Sequence, residues 1–181
     1  KGPNSELVNA INRHASHEVA IGLTEERLVY AKKAEKVYDP LTNEFVDLGF
    51  VGEPTGANTR RIHQLLEQGN IPILWSIGHS SDGQIHNCNA DHVGEVLAQE
   101  FDQYIILTKI GGYIRDGSIV KELTLDEARA HTADSGMGVK IETIIRVLEN
   151  TKHKSVVIAS PQNLLRELLS NDGMGTLIRK V

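Results

Sequence analysis

Asn87-Cys88-Asn89-Ala90-Asp91 crowds two amides and a carboxylate onto a turn that leads from an extended segment into a helix. Amides both donate and accept hydrogen bonds, an ionised carboxylate accepts them, and a helix start adds free backbone N–H groups and a positive dipole end. Such a cluster can hold a small charged substrate. The same spacing also fits a turn followed by a helix N-cap.

Lys140 is the second candidate. It falls just inside a predicted helix whose start carries Ser135, Gly136 and Gly138. A phosphate resting on that start meets N–H groups and an ammonium together. Phosphoryl transfer asks chiefly for positioning and for neutralising the moving charge, so Lys140 with a carboxylate to orient it can drive such a step. The alternative for Lys140 is a solvated surface lysine. A third segment, Thr108 to Gly117, holds Gly111-Gly112 after a predicted strand, where a nucleotide can lie against backbone or the pair can simply turn the chain.

The elements that must position these groups follow from hydrophobic periodicity. Asn4 or Ser5 is expected to cap a first helix carrying Leu7, Val8 and Ile11. Strands are expected over Val19 to Leu23 and Leu28 to Ala31, and a turn over Asp39 to Asn43. A helix from Asn58 or Thr59, with Ile62, Leu65 and Leu66 on one face, ends at Gly69-Asn70. Ile71 to Trp75, Tyr104 to Leu107 and Ser155 to Ala159 read as buried strands. Between and after them lie a hairpin around Ser80 to Gly83 and a helix with Val93, Val96 and Leu97. Thr124 and Glu127 form a capping box, Val139, Ile144, Val147 and Leu148 mark another helix, and Leu164, Leu165 and Leu168 a last one before a strand at Thr176 to Ile178. Buried strands alternating with helices imply parallel βαβ units, hence an α/β protein with ligands at the C-terminal ends of its strands.

Composition narrows the classes. The 181 residues support one domain with a real core, and no apolar run reaches the roughly 18 residues of a membrane span. No signal-peptide pattern opens the chain, so a soluble protein is expected. The single cysteine excludes an internal disulfide framework and the eight histidines lack metal-ligand spacing, which points to a reducing compartment and away from structural zinc. A net charge of −5 without a long basic run disfavours nucleic acid as a partner.

Seven segments, in their order, resemble one family. VDLGFVGEP at 46–54, IPIL at 71–74, DGQIHNCNAD at 82–91, YIILT at 104–108, ELTLDEA at 122–128, SGMGVK at 135–140 and LLRELLSNDGMGTLI at 164–178 look like the successive motifs of the acetylglutamate kinases, within the amino acid kinase family. SGMGVKIETIIRVLEN also resembles carbamate kinase of the same superfamily. The resemblance implies a three-layer α/β/α sandwich with a mainly parallel sheet, and transfer of the ATP γ-phosphoryl group to the side-chain carboxylate of N-acetyl-L-glutamate, a step of cytoplasmic arginine biosynthesis. It implies Asn87 and Asn89 at the substrate, Asp91 orienting the catalytic lysines and Lys140 stabilising the moving phosphoryl group. Thr108, Lys109, Gly111, Gly112 and Tyr113, with Thr132, Ser135, Gly136 and Met137, would line the nucleotide. Mg²⁺ would arrive on ATP and not in an all-protein cage. Residues about 1–100 would serve the substrate and about 101–181 the nucleotide.

The sequence also departs from the family. A lysine-bearing glycine loop, a second glycine-rich loop and a carboxylate-gripping arginine, which open family members, are not among these residues, so a preceding N-terminal lobe is expected, and with it the family's homodimer. Without that lobe the chain is expected to bind nucleotide but not to complete the reaction. Lys109 stands where the family has Asp and Gly111 where it has Pro, reversing the charge beside the expected nucleotide. An arginine-binding, kinase-like domain of an acetylglutamate synthase, or a non-catalytic remnant of the fold, are the other classes consistent with these changes.

Overall fold

The computed structural model describes residues 3–23, 26–130, 137–170 and 172–180. Two compact units, Lys1–Val96 and Leu97–Val181, make up the chain.

In the first unit, α1 (Pro3–His14) begins at a proline, whose missing N–H costs nothing in a first helical turn. Asn4 is therefore not the cap expected from sequence. It lies buried inside the helix, and its side-chain amide donates to the Ile73 carbonyl at 3.0 Å. Asn12 anchors the other end: its Oδ1 accepts from Val19 and Ala20, and its Nδ2 donates to the Ala20 carbonyl. These bonds tie the helix to β1 (Ala20–Leu23), which pairs in parallel with a strand far along the chain, β6 (Ile71–Leu74). Only these two strands share that sheet among the described residues, so Ile71 remains 45% exposed and β6 is less buried than its apolar sequence predicts.

Between β1 and β6 come β2 (Val29–Lys33), β3 (Val37–Asp39), β4 (Glu44–Val46), β5 (Val51–Ala57) and α2 (Arg60–Glu67). Ile62 and Leu65 are the buried face of α2; Leu66, expected beside them, is 44% exposed. After β6 the hairpin β7 (Ile77–His79) and β8 (Ile85–Cys88) turns through Ser80 to Gly83, where the Asp82 carboxylate accepts from the Ser80 hydroxyl and the Gln84 N–H. Strands β2, β5, β8 and β7 close into a small barrel of mixed direction. Among the described residues, strands β3 and β4 pair only with each other, as an exposed hairpin around the positive-φ Asn43. Helix α3 (Ala90–Ala98) follows β8.

The second unit is built on a four-stranded sheet. Its strands are β9 (Ile105–Leu107), β12 (Glu122–Thr124), β13 (Ser155–Ala159) and β14 (Thr176–Arg179), in the order β12-β14-β13-β9. The β9–β13 and β12–β14 pairs are parallel, as the alternation of strands and helices predicts, while β13–β14 is antiparallel. A separate two-residue-turn hairpin, β10 (Ile114–Arg115) and β11 (Ser118–Ile119), interrupts the chain between β9 and β12. Thr124 and Glu127 make the expected capping box: the Glu127 carboxylate accepts from the Thr124 N–H at 2.8 Å, and the Thr124 hydroxyl accepts from the Glu127 N–H at 3.2 Å. They start α4 (Leu125–Ala130).

Helix α5 (Gly138–Asn150) buries Ile141, Ile144, Val147 and Leu148, spaced so that one stripe faces the sheet. Val139, expected on that stripe, is 47% exposed, and Ile141 takes its place. The core adds Leu123, Val156, Ile158 and Ile178 from the sheet. Each such side chain contributes roughly 1.5–3 kcal/mol on burial. A 3-10 turn (Pro161–Asn163) and the short α6 (Leu164–Leu169) lead to β14, with Leu165 and Leu169 largely exposed. No described helix is long and apolar enough to cross a membrane.

Candidate functional site

Alternation along β8 decides where the first candidates face. Ile85 and Asn87 are exposed, whereas His86 and Cys88 are buried. Asn87 is held by its backbone N–H, which donates to the Phe50 carbonyl at 2.7 Å. Its side chain, free of the barrel interior, lines a cavity of about 480 Å³ with Asn4, Leu7, Ile73, Trp75 and Ile77 among the other walls. That cavity lies at the C-terminal end of β6, where ligands gather in α/β folds. Asn89 behaves differently. Its Oδ1 accepts from the Asp91 N–H at 2.9 Å and so caps the first turn of α3, the structural alternative read from the spacing. Asp91 stands in that same first turn, where the helix dipole favours a carboxylate.

Two cavity residues escaped the sequence reading. The Trp75 indole Nε1 and the Asn4 Oδ1 are buried without hydrogen-bond partners, a donor and an acceptor on the walls of one apolar cavity. The only signal available was a lone tryptophan at the end of an apolar run.

Cys88 sits between the two candidate amides but is 3% exposed, and burial pushes its thiol above the ordinary cysteine range. A raised pKa leaves the neutral thiol in place near neutral pH, and the thiolate is the reactive form. Cys88 is expected to react with a disulfide reagent such as Ellman's only as fast as the protein unfolds. Rapid labelling of the native chain at pH 7 would contradict that placement.

The second unit holds the remaining candidates. Thr108 directly follows β9; its hydroxyl accepts from the Gly111 N–H at 2.9 Å and its N–H donates to the Ala159 carbonyl. Gly111 has φ of +82°, and a Cβ on Gly112 would meet Ile119 and the Thr176 hydroxyl, so both glycines let the loop turn tightly against β13 and β14. Lys109 is exposed beside them. Tyr113 lies deeper than Lys109. Its ring is 4% exposed in the core and its N–H donates to the Thr176 hydroxyl at 2.7 Å, so the side chain packs the fold.

Met137 occupies the N-cap of α5 without a side-chain cap, and Lys140 is the third residue of the helix, half-buried. A helix start with an ammonium in its first turn offers N–H groups and positive charge to an anion. Thr132, Ser135 and Gly136 lie outside the described residues. Among the described residues, no three His, Cys, Asp or Glu side chains converge to hold a metal ion. Asn87, Asn89 and Asp91 thus belong to the first unit, and the Thr108–Tyr113 loop, Met137 and Lys140 to the second.

Known proteins carry the same pattern. Acetylglutamate kinase of Azorhizobium caulinodans is 33% identical over 189 aligned positions, which take in 98% of this chain and 63% of that protein. The acetylglutamate kinase of a Caulobacter species is 37% identical over 195 positions, with 98% and 64% covered. This chain therefore spans just under two thirds of the length of the curated relatives it matches. Among solved structures, N-acetylglutamate synthase from Neisseria gonorrhoeae, complexed with coenzyme A and L-arginine, superposes with a TM-score of 0.77 at 21% identity, covering 92% of this chain and 39% of that one. At that identity the likeness is one of fold. The sequence model described as the amino acid kinase family matches residues 6–160, most of both units. With that match, this chain belongs to the amino acid kinase family.

Proposed function

We propose that the chain is the acceptor- and nucleotide-binding part of an acetylglutamate kinase. The γ-phosphoryl group of ATP bonds to a side-chain carboxylate oxygen of N-acetyl-L-glutamate, giving an acyl phosphate, and ADP leaves with the electrons of the broken bond. Residues about 1–100 bind the acceptor and about 101–181 the nucleotide. The observation that carries the reading is Asn87, exposed on β8 at the wall of the 480 Å³ cavity. An amide there grips an anionic acceptor without adding negative charge to an already anionic reaction.

Lys140, in the first turn of α5, meets the transferring group with a fixed positive charge and the positive end of the helix. The backbone of Thr108 to Gly112 lets the nucleotide approach closely, and Mg²⁺ carried by the nucleotide neutralises its phosphates. Relatives named acetylglutamate kinase over 98% of the chain support this choice of substrate.

Trp75 is the chain's only tryptophan and lines the same cavity, so its emission reports occupancy. Titration with N-acetyl-L-glutamate is expected to change Trp75 fluorescence saturably, and Asn87→Ala to weaken that binding about tenfold or more. A flat titration curve for the native chain would contradict the acceptor assignment.

A second reading, the kinase-like module of an acetylglutamate synthase, draws on the 0.77 superposition with the Neisseria gonorrhoeae protein. Binding of L-arginine with no ATP binding at all would favour it.

A further inference from the structure

Arg115 carries an unusual deficit. Its Nε and Nη2 are both buried and neither has a hydrogen-bond partner. These two nitrogens form one edge of the guanidinium, the fork that matches two oxygens of a carboxylate or phosphate. Elsewhere in the chain, Arg61, Arg129, Arg166 and Arg179 each pair with a carboxylate. A buried, unpaired cationic edge is destabilising and calls for a reason.

The surrounding structure holds that edge in place. Arg115 ends β10 and pairs in register with Ser118. The intervening Asp116 and Gly117 both have positive φ, 50° and 76°, the two-residue turn that suits the twist of a hairpin. Tyr113, two residues earlier and on the same face, puts its ring 6.0 Å below the guanidinium carbon. Tyr113 in turn belongs to the core cluster against which Met137, at the start of α5, also packs.

We propose that Arg115 is an oxyanion-binding residue of the second unit, its unpaired Nε/Nη2 edge taking two oxygens of a phosphate or a carboxylate. The oxyanion chemistry stands on the unpaired edge itself. The choice of a nucleotide phosphate as its source rests on the nucleotide reading of the Thr108–Gly117 segment. Arg115 is a binding residue, distinct from Lys140 and reached through a different element.

The test is the side-chain Nε–H signal of Arg115 in a nitrogen–proton correlation spectrum, assigned through backbone connectivities so that no variant is required. ATP, inorganic pyrophosphate and acetate are added separately to the whole chain. A saturable shift with ATP and pyrophosphate alone identifies a phosphate source; a shift with acetate identifies a carboxylate source; either supports the site. A shift with pyrophosphate or acetate in a chain that does not bind ATP sustains the inference while the nucleotide reading fails. A signal that none of the three moves overturns it. Arg115→Lys keeps the charge and loses the fork, so it is expected to weaken the same anion about tenfold. A folded lysine variant that binds within about twofold of the native chain also contradicts the proposal.

Discussion

Lys140→Ala, in the protein as encoded, is expected to lower kcat by about a hundredfold to a thousandfold while leaving KM for ATP within a few-fold. Loss of one positioned donor to a developing charge costs about that much in enzymes that work by electrostatic stabilisation. Phosphoryl transfer belongs to that group, because the protein contributes little beyond position and charge. Lys140 lies in the first turn of α5, so the substitution removes the ammonium without disturbing the buried stripe of Ile141, Ile144, Val147 and Leu148. An interaction made mainly in the transition state lowers kcat and kcat/KM together. Steady-state kinetics that show an unchanged kcat with a raised KM would instead make Lys140 a ground-state anchor for the nucleotide.

The second large effect is on stability. Gly175 precedes β14, and its N–H donates to the Glu167 carboxylate at 2.8 Å, as the Met174 N–H also does. A Cβ at Gly175 would run into the carbonyl oxygen of Ile158, a residue with no exposed surface on the neighbouring strand. Backbone cannot yield as a flexible side chain does, so β14 must move from β13. Gly175→Ala is therefore expected to cost about 3 kcal/mol, a large share of the stability of a domain this size. Urea denaturation should show the midpoint fall with little change in slope. Leu165→Ala, at a position 70% exposed, is the control and should stay within about 0.5 kcal/mol. Equal midpoints for the two variants would mean that the close β13–β14 contact contributes little.

What could be read from the residues was what repeats locally. The α5 stripe, the Thr124–Glu127 box and the apolar run of β13 each announce themselves within a few positions, and each forms, the α5 stripe with Ile141 in place of Val139. Asn87 and Asn89, two residues apart, were read together, yet one faces a cavity and the other caps a helix. The difference arises because β8 ends between them, and strand ends are set by pairing with β5 and β7.

Long-range pairing accounts for the larger omissions. The barrel joins β2 to β5 and β7, strands distant in sequence whose mutual register has no local signature. Strands β3 and β4 carry no alternation of burial because both are exposed. The β10–β11 hairpin does have a local signal, Asp116-Gly117, inside the segment Thr108 to Gly117 expected as one glycine-bearing loop. Tyr113, just before that hairpin, turns its ring into the core, a direction that no local pattern announces. Trp75, Asn4 and Arg115 were invisible because an unpaired buried polar atom is a property of the folded surroundings alone.

The proposed reaction is phosphoryl transfer to the side-chain carboxylate of N-acetyl-L-glutamate. Its product is an acyl phosphate, which hydroxylamine converts to a hydroxamate that can be read by colour. In the protein as encoded, with Mg²⁺ and ATP, hydroxamate is expected to accumulate with N-acetyl-L-glutamate and to vanish without either substrate. ATP turnover that is indifferent to N-acetyl-L-glutamate, or hydroxamate formed equally well from unrelated carboxylates, would contradict the account.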